Sequence, residues 1–529
     1  MLSLAGLFAC ILVLIILYLP FQHFRDEKAL RRFPAPSVFA SLTPLWQMYH
    51  NWRGQKFIAI DEAHRALGEV VRIGPKTISF SSIQAYKDIY GHGSQVVKDV
   101  FYDNQAGGNP SMADTSSREL HSRKRKNLSF VFSAKQVTSM EPRVMDVVDK
   151  LLRAVKVKSQ GSKIAPTDRF DVVDGALDIR PWLNMFTYDA ISSMFFSKSF
   201  NFLERGDDDC MAQDAKGVVQ QVHAMQTFHT GARLSVLLGH MPAFWFDLVK
   251  NRMLGWTFGN KCGTNFTGMA RFLVTDRLQN PPSKPDLFSN LPVKPTEKNP
   301  VPMELNELIA EAAVMLNAGN DTTQTSLVNI FYSLASNPNE QGKLRRILEE
   351  EIPTNQRPIV SYAQLQHIPY LRYCIDESFR VLSPVATGLP RRTTQPAIIA
   401  GHQIAAGVGV SAPTYTLHRN EKLFSNASSW HPERWDPDNK NYTDEERKNL
   451  KDYVQPFSQG SRACIGRNLA YMELSICTAA LVLAFEWELG PGQGAVEHFE
   501  RFNCNPVKLM VRPRPRDEVW DSYNYISTQ

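Results

Sequence analysis

One cysteine in this chain is framed unlike the other six. Cys464 lies in FSQGSRACIGRNLA, between Gly460 and Gly466 and between Arg462 and Arg467, just ahead of an apolar helical pattern. A free cysteine is ordinarily a small buried hydrophobe. Here the glycines permit turns, or the close approach of a flat ligand, that a Cβ would block. A helix starting beside Cys464 would aim its N–H groups and positive dipole end at the sulfur, favouring thiolate over thiol. Arg462 can meet a carboxylate at the rim of such a ligand, and Phe457 can cover the sulfur. These residue types suit a thiolate that holds something; the alternative is an ordinary buried thiol.

A second group sits in MELNELIAEAAVMLNAGNDTTQTSLVNIFYSLAS, whose pattern predicts one long helix from Met303 to Ser336, closed by Asn337-Pro338. A helix-interior glycine costs about 1 kcal/mol relative to alanine, so Gly319 needs a reason. One is close approach of the backbone to a ligand, with the helix locally opened. Asp321 and Thr322 put an acid beside an alcohol. Either they pass protons in sequence, or Thr322 bonds back to the preceding turn and Asp321 faces water. A third group is Glu377-x-x-Arg380, on one helix face and ordinarily worth a few tenths of a kcal/mol, with Arg434 following in HPERW. The basic run His121 to Lys126 reads first as a solvated helix face. The formal net charge of +6 is small for 529 residues, and no aromatic residues interleave the run, so nucleic acid is not an expected partner.

The pattern Phe457-x-x-Gly460-x-Arg462-x-Cys464-x-Gly466 resembles the heme-thiolate loop of the cytochrome P450 family, and the other groups follow the family's order. The resemblance implies heme b (iron protoporphyrin IX) with Cys464 as the axial ligand of its iron, Gly460 and Gly466 making room for the porphyrin, and Phe457 at the sulfur. Asp321 and Thr322 would then activate oxygen, with Ala318 and Gly319 against the heme. Glu377, Arg380 and Arg434 would form a buried charge network securing the cysteine loop. The family commonly has Trp-x-x-x-Arg on the basic helix, at the heme propionates; His121 replaces the tryptophan and Arg125 keeps the arginine. Arg391 and Arg462 are further propionate partners. The implied substrate pocket takes in Val97, Phe101, Met315, Ala318, Thr323, Val385, Ala386 and Thr387.

Local phrases such as YGHGS and APTYTLHRN look like microsomal enzymes of filamentous fungi, some benzoate para-hydroxylases and others enzymes of secondary-metabolite clusters. The implied activity inserts one atom of O2 into a hydrophobic small molecule. NADPH-derived electrons would come through a separate reductase, since the chain carries no dinucleotide fingerprint. Spare basic residues near the run, with Arg467, would face that reductase. Alternatives are an aromatic-acid para-hydroxylase, a heme-thiolate isomerase or dehydratase, and a non-catalytic heme-binding membrane protein. The Asp321-Thr322 pair weighs toward oxygen activation.

The elements that must position these residues are legible in outline. Met1 to Phe24 carries no charge and contains LFACILVLIILYLP. About 20 apolar residues span a bilayer, and no basic n-region or A-x-A-like site marks cleavage. Arg25, Lys28, Arg31 and Arg32 follow, placing the remainder in the cytosol. The expectation is therefore a transmembrane signal anchor over residues 1–24 in the endoplasmic reticulum membrane. A basic and proline-rich linker covers 25–37 and a heme-binding catalytic domain 38–529. Scattered cysteines without a CxxC pair fit reduced cytosolic thiols. EVVRIGPKTISF reads as a β-hairpin, helices dominate to about residue 380, and short strands follow. MPAFWFDL either dips into a membrane surface or forms an aromatic core helix. The fold class is mainly α (α+β): one large helical body with small sheets behind a transmembrane helix.

Overall fold

The computed structural model describes residues 20–21, 23–106, 109–295 and 301–527. The anchor expected over residues 1–24 falls almost wholly outside them. Among the described residues no helix is long and apolar enough to cross a membrane.

The long helix runs from Leu305 to Ser336 without interruption and ends where Pro338 opens the next helix. Its buried Leu308, Ile309, Ala312, Leu316, Leu327, Val328 and Phe331 join the main core. Helix Ile179–Phe196 packs along it, and the closest approach explains Gly319. A Cβ there would stand 2.9 Å from Ile191 Cδ1. Helix-on-helix packing thus favours the glycine, which also lines the cavity described below, and the local opening expected at this position is absent. Helix Arg467–Ala484, apolar on nearly every face, is buried as such a helix must be.

The basic helix spans Arg118–Val131. Its expected solvated face is only partly solvated. Lys124 Nζ lies 2.9 Å from Glu311 and 2.8 Å from Glu307 on the long helix. Glu311 also accepts the Met112 N–H at 2.9 Å. This buried pair fixes the basic helix against the long one, while Arg123 and Lys126 stay exposed.

The expected hairpin forms, with Val70–Gly74 antiparallel to Thr77–Phe80. It continues into a five-stranded sheet through Gly409–Ser411, Arg391–Thr393 and Val96–Lys98, in that order. Phe485–Leu489, Met510–Pro515, Ala176–Asp178 and Val172–Val173 make a four-stranded sheet. Near the C-terminus His498–Arg501 pairs with Asn503–Pro506, turning through Phe502 at φ +84°. The segment MPAFWFDL holds a short α-helix, Ala243–Phe246, which buries Phe246 and exposes Phe244 and Trp245, and runs straight into a π-helical turn, Asp247–Met253.

Gly319→Ala decides between the two reasons for that glycine. Alanine gains about 1 kcal/mol of helix propensity, whereas overpacking Ile191 costs about 1–3 kcal/mol. Thermal unfolding of the heme-free protein is expected to show net destabilisation, relieved when Ile191→Ala is added. A neutral or stabilising Gly319→Ala would return the glycine to a ligand-clearance role.

Candidate active site

The cysteine loop is shaped by its own backbone. The Cys464 N–H donates to Phe457 O at 2.9 Å and the Ala463 N–H to Gly460 O at 3.1 Å. Gly460 has φ +73°, and a Cβ there would strike Tyr90 O at 2.3 Å. Its freedom is thus demanded by the neighbouring backbone and not by room for a porphyrin. Gly466 caps helix Arg467–Ala484 and lies against the sulfur, its would-be Cβ 3.9 Å from Cys464 Sγ. Burial pushes the Cys464 thiol above its ordinary value, although the Gly466 N–H, Arg125 and Arg467 pull the other way. The cysteine itself is exposed toward the cavity, and the thiolate is the form that would ligate a metal.

The sulfur opens into a cavity of about 270 Å³. Ile465, Leu469 and Phe457 lie on its side; Val314, Met315, Ala318, Gly319, Thr322 and Thr323 of the long helix face it. Phe457 packs on Phe379 and Tyr471 at centroid separations of 5.3 and 5.1 Å.

One end of the cavity gathers cations. His121, Arg125, Arg462 and Lys98 line it, with buried Arg391 close behind. Arg125 donates to Ala463 O at 2.7 Å, and Arg462 to Thr115 O at 2.9 Å. Burial and the surrounding cations push His121 down to about 4. Arg462 falls to about 10, by burial and then Arg391, and burial with Arg391 holds Lys98 well below the usual lysine range. Like charges converging in a low-dielectric pocket call for anions. A largely apolar cavity lined by the Cys464 sulfur and by basic Lys98, Arg125 and Arg462 fits a heme bearing two propionates. Arg391 donates to Pro390 O and lies over Tyr90 rather than on the cavity wall.

The charge network forms as the resemblance implies. Glu377 takes Arg380 through both oxygens, at 2.8 and 2.9 Å, with Arg434 at 3.4 Å, Trp435 Nε1 at 3.0 Å and the His431 N–H at 3.0 Å. Glu377, Arg380 and Arg434 are all 0% exposed. Arg380 also donates to His418 O at 2.9 Å, and His418 Nε2 accepts the Gln455 N–H at 3.3 Å. Burial pushes His418 down to about 3, so the ring is neutral. The network thereby reaches the first residues of the cysteine loop.

The acid and alcohol part company. Thr322 faces the cavity, yet its hydroxyl donates to Ala318 O at 2.8 Å, the back-bonded alternative. Asp321 faces neither water nor cavity. Its carboxylate accepts from Asn503 at 2.8 Å, Asn505 at 2.7 Å and His229 at 3.4 Å.

Of the expected pocket residues, Met315, Ala318, Thr323 and Val385 line the cavity, and four do not. Successive strand residues point to opposite faces, so on Val96–Lys98 it is Lys98, not Val97, that reaches it. Phe101 packs beneath Gly239 and stacks on Phe502. Ala386 packs with Phe57 and Cys504, and Thr387 donates to Glu500 at 2.6 Å.

Sequence reasoning passed over Lys98 and also Glu473. Glu473 is buried on the cavity wall, receives only the Thr323 hydroxyl at 3.5 Å and leaves Oε1 without a partner. Its place three residues after Ala470, on the helix that follows Cys464, was the available signal. Burial pushes it up to about 8, so it is protonated at neutral pH. Because its folded pKa lies above the ordinary 4.5, stability is full below 4.5 and declines as pH rises toward 8. In heme-free protein, Glu473→Gln is expected to gain stability relative to wild type between those limits, measured by denaturant unfolding. A pH-independent difference would contradict the burial reading.

With the geometry in view, the chain was compared with known proteins. The cytochrome P450 family model matches residues 36–516. Benzoate 4-monooxygenase bphA of Aspergillus niger is 31% identical over 521 residues, covering 97% of this chain and 96% of that protein. Tryprostatin B 6-hydroxylase of Neosartorya fischeri is 27% identical over 508 residues, covering 94% and 83%. The crystal structure of a cytochrome P450, CYP102L1, superposes with a TM-score of 0.72 at 20% identity, over 92% of this chain and 99% of that one. The chain belongs to the cytochrome P450 family of monooxygenases.

Proposed function

We propose that this protein hydroxylates or otherwise oxygenates a hydrophobic small molecule at a heme held by Cys464, in secondary metabolism, with electrons from NADPH through a separate reductase. The carrying observation is the cavity itself. Apolar Met112, Val314, Met315, Ala318, Pro384 and Val385 line the same cavity as Cys464, together with Thr322. When bound, the heme supplies dioxygen activation, which a thiolate ligand favours. This chain's residues do the rest. Cys464 donates through sulfur, Arg125, Arg462, His121 and Lys98 orient the propionates, and the apolar wall excludes water and positions the substrate. Thr322 delivers a proton at its Oγ1 once that hydroxyl leaves Ala318 O, and Asp321 resupplies it.

A reductase face is supported by exposed Arg123, Lys126 and Arg467 beside the cysteine side. Membrane attachment, by the anchor at residues 1–24 and at the endoplasmic reticulum, is supported by exposed Phe244, Trp245, Trp256 and Phe258. Helix Leu45–Arg53, with exposed Leu45, Tyr49 and Trp52, meets the same flank through Asn51, which donates to Val236 O. A second reading, an aromatic-acid para-hydroxylase, draws on the likeness to benzoate 4-monooxygenase and on the number of cations at one end of the cavity.

Microsomes carrying the protein and a reductase, given neutral apolar metabolites or benzoate, test this by mass spectrometry. A gain of one oxygen on a neutral substrate is expected; gain on benzoate alone favours the second reading, and turnover without oxygen gain contradicts both. Thr322→Ala is expected to uncouple the reaction, with NADPH and O2 yielding NADP+ and hydrogen peroxide in place of product. Coupling unchanged by that substitution would remove Thr322 from proton delivery.

A further inference from the structure

The Asp321 carboxylate is 1% exposed, yet among the described residues no lysine or arginine bonds to it. Its partners come from two elements distant in the chain. On the long helix, Asp321 and Thr325 stand four residues apart and share a face. On strand Asn503–Pro506, Asn503 and Asn505 stand two apart and share a face. The two faces meet. Asn503 Nδ2 donates to Oδ2 at 2.8 Å; Asn505 Nδ2 donates to Oδ1 at 2.7 Å and to Thr325 Oγ1 at 3.2 Å. Both asparagines are buried, at 4% and 0% exposure.

The third donor is His229, on helix Ala224–Leu238. Arg180 Nη2 lies 3.3 Å from His229 Nδ1 and 3.4 Å from Nε2, and Nε2 lies 3.4 Å from Asp321 Oδ1, to which it donates in the Nε2-protonated tautomer. Burial pushes His229 down to about 4, so the ring donates as a neutral imidazole. Burial alone would raise the Asp321 carboxyl, but His229, Asn505 and Asn503 outweigh it and hold the group below its ordinary value. Arg180 and Arg501 are the charged groups nearby, and both respond to Asp321. The hairpin carrying the asparagines is itself pinned. Phe502 at its tip keeps a left-handed φ of +84°, a conformation that persists only where its surroundings hold it, and its ring stacks on Phe101 at 6.1 Å.

We propose that Asn503, Asn505 and His229 are positioning residues for Asp321, holding its carboxylate ionised in one orientation on the helix turn that carries Thr322, turned from the cavity and from water at rest, as the store from which the Thr322 proton is resupplied when the clamp opens. The proposal rests on the oxygenase reading above and deepens it. Without the donors, burial would leave a neutral acid that holds its proton and turns to other partners.

The test compares Asn503→Leu/Asn505→Leu with wild type and with Asp321→Asn, as heme-loaded protein with a reductase and a substrate found by the screen. The double variant is expected to lose product per NADPH and kcat roughly tenfold, part of the 10²–10⁴ available to general acid–base catalysis, with KM unchanged. Infrared spectra at pH 7 are expected to show a new buried carboxylic-acid band that disappears when Asp321→Asn is added. Unchanged coupling in the double variant beside an impaired Asp321→Asn would overturn the clamp, as would a change in KM alone or the absence of the new band. Unchanged coupling in Asp321→Asn would instead overturn the part given to Asp321 itself. Should the double variant not fold, His229→Leu removes a donor from the other element and is read by the same measurements.

Discussion

Glu377 is a carboxylate with no exposure at all, surrounded by two arginines, an indole N–H and a backbone N–H. Each ion has been taken out of water at a cost of several kcal/mol, offset by pairing that is complete for Arg380 and, among the described residues, leaves Arg434 Nη1 without a hydrogen-bond partner. Removing one partner would strand the others at about 3–5 kcal/mol. The arrangement is therefore close to all-or-none. Arg380 spends its remaining hydrogens on the carbonyls of His418, Ala427 and Ser429. His418 in turn accepts from Gln455 at the entrance to the cysteine loop. The position of Cys464 is inherited along this line. A soft loop of glycines and serines is held by a rigid charge cluster on its far side.

The second wall of the site has a different origin. Helix Leu305–Ser336 is placed by packing, through Gly319 against Ile191, and by the buried Lys124–Glu311 pair that ties the basic helix to it. The same tie carries His121 and Arg125 to the cavity edge, where they meet Lys98 and Arg462. Burial first, and then the neighbouring cations, lower His121 and Lys98, so gathering basic groups at this edge is a cost the bare protein carries. Anions at that edge would relieve it, so cofactor binding and stability are linked at this cluster.

How much of this the sequence disclosed follows the range of each interaction. The cysteine loop, the Glu377-x-x-Arg380 pair and the Arg434 contribution were legible because their spacings are short or their motif order is distinctive. The long helix was placed within two residues of its observed start and at its observed end. Gly319 and Gly460 are legible as constrained positions, but the neighbours that also constrain them, Ile191 and Tyr90 O, lie far away in sequence, while Gly319 lines the cavity as well. Lys98 was missed for Val97 by the parity of one strand. Ala386 and Thr387 were drawn off by Cys504 and Glu500, contacts with the C-terminal hairpin that no local pattern announces. Asp321 was expected to face either the reaction or water. It faces a pair of asparagines whose alternation was visible in NCNP but whose partner was not.

The central claim is that Cys464 sulfur holds the heme iron. The most direct measurement is the absorption difference spectrum of the reduced, heme-loaded protein on adding carbon monoxide. The band characteristic of thiolate ligation is predicted for the wild type and its loss for Cys464→Ala. A histidine-type band in well-folded wild-type protein, or a thiolate band that survives Cys464→Ala, would contradict the account.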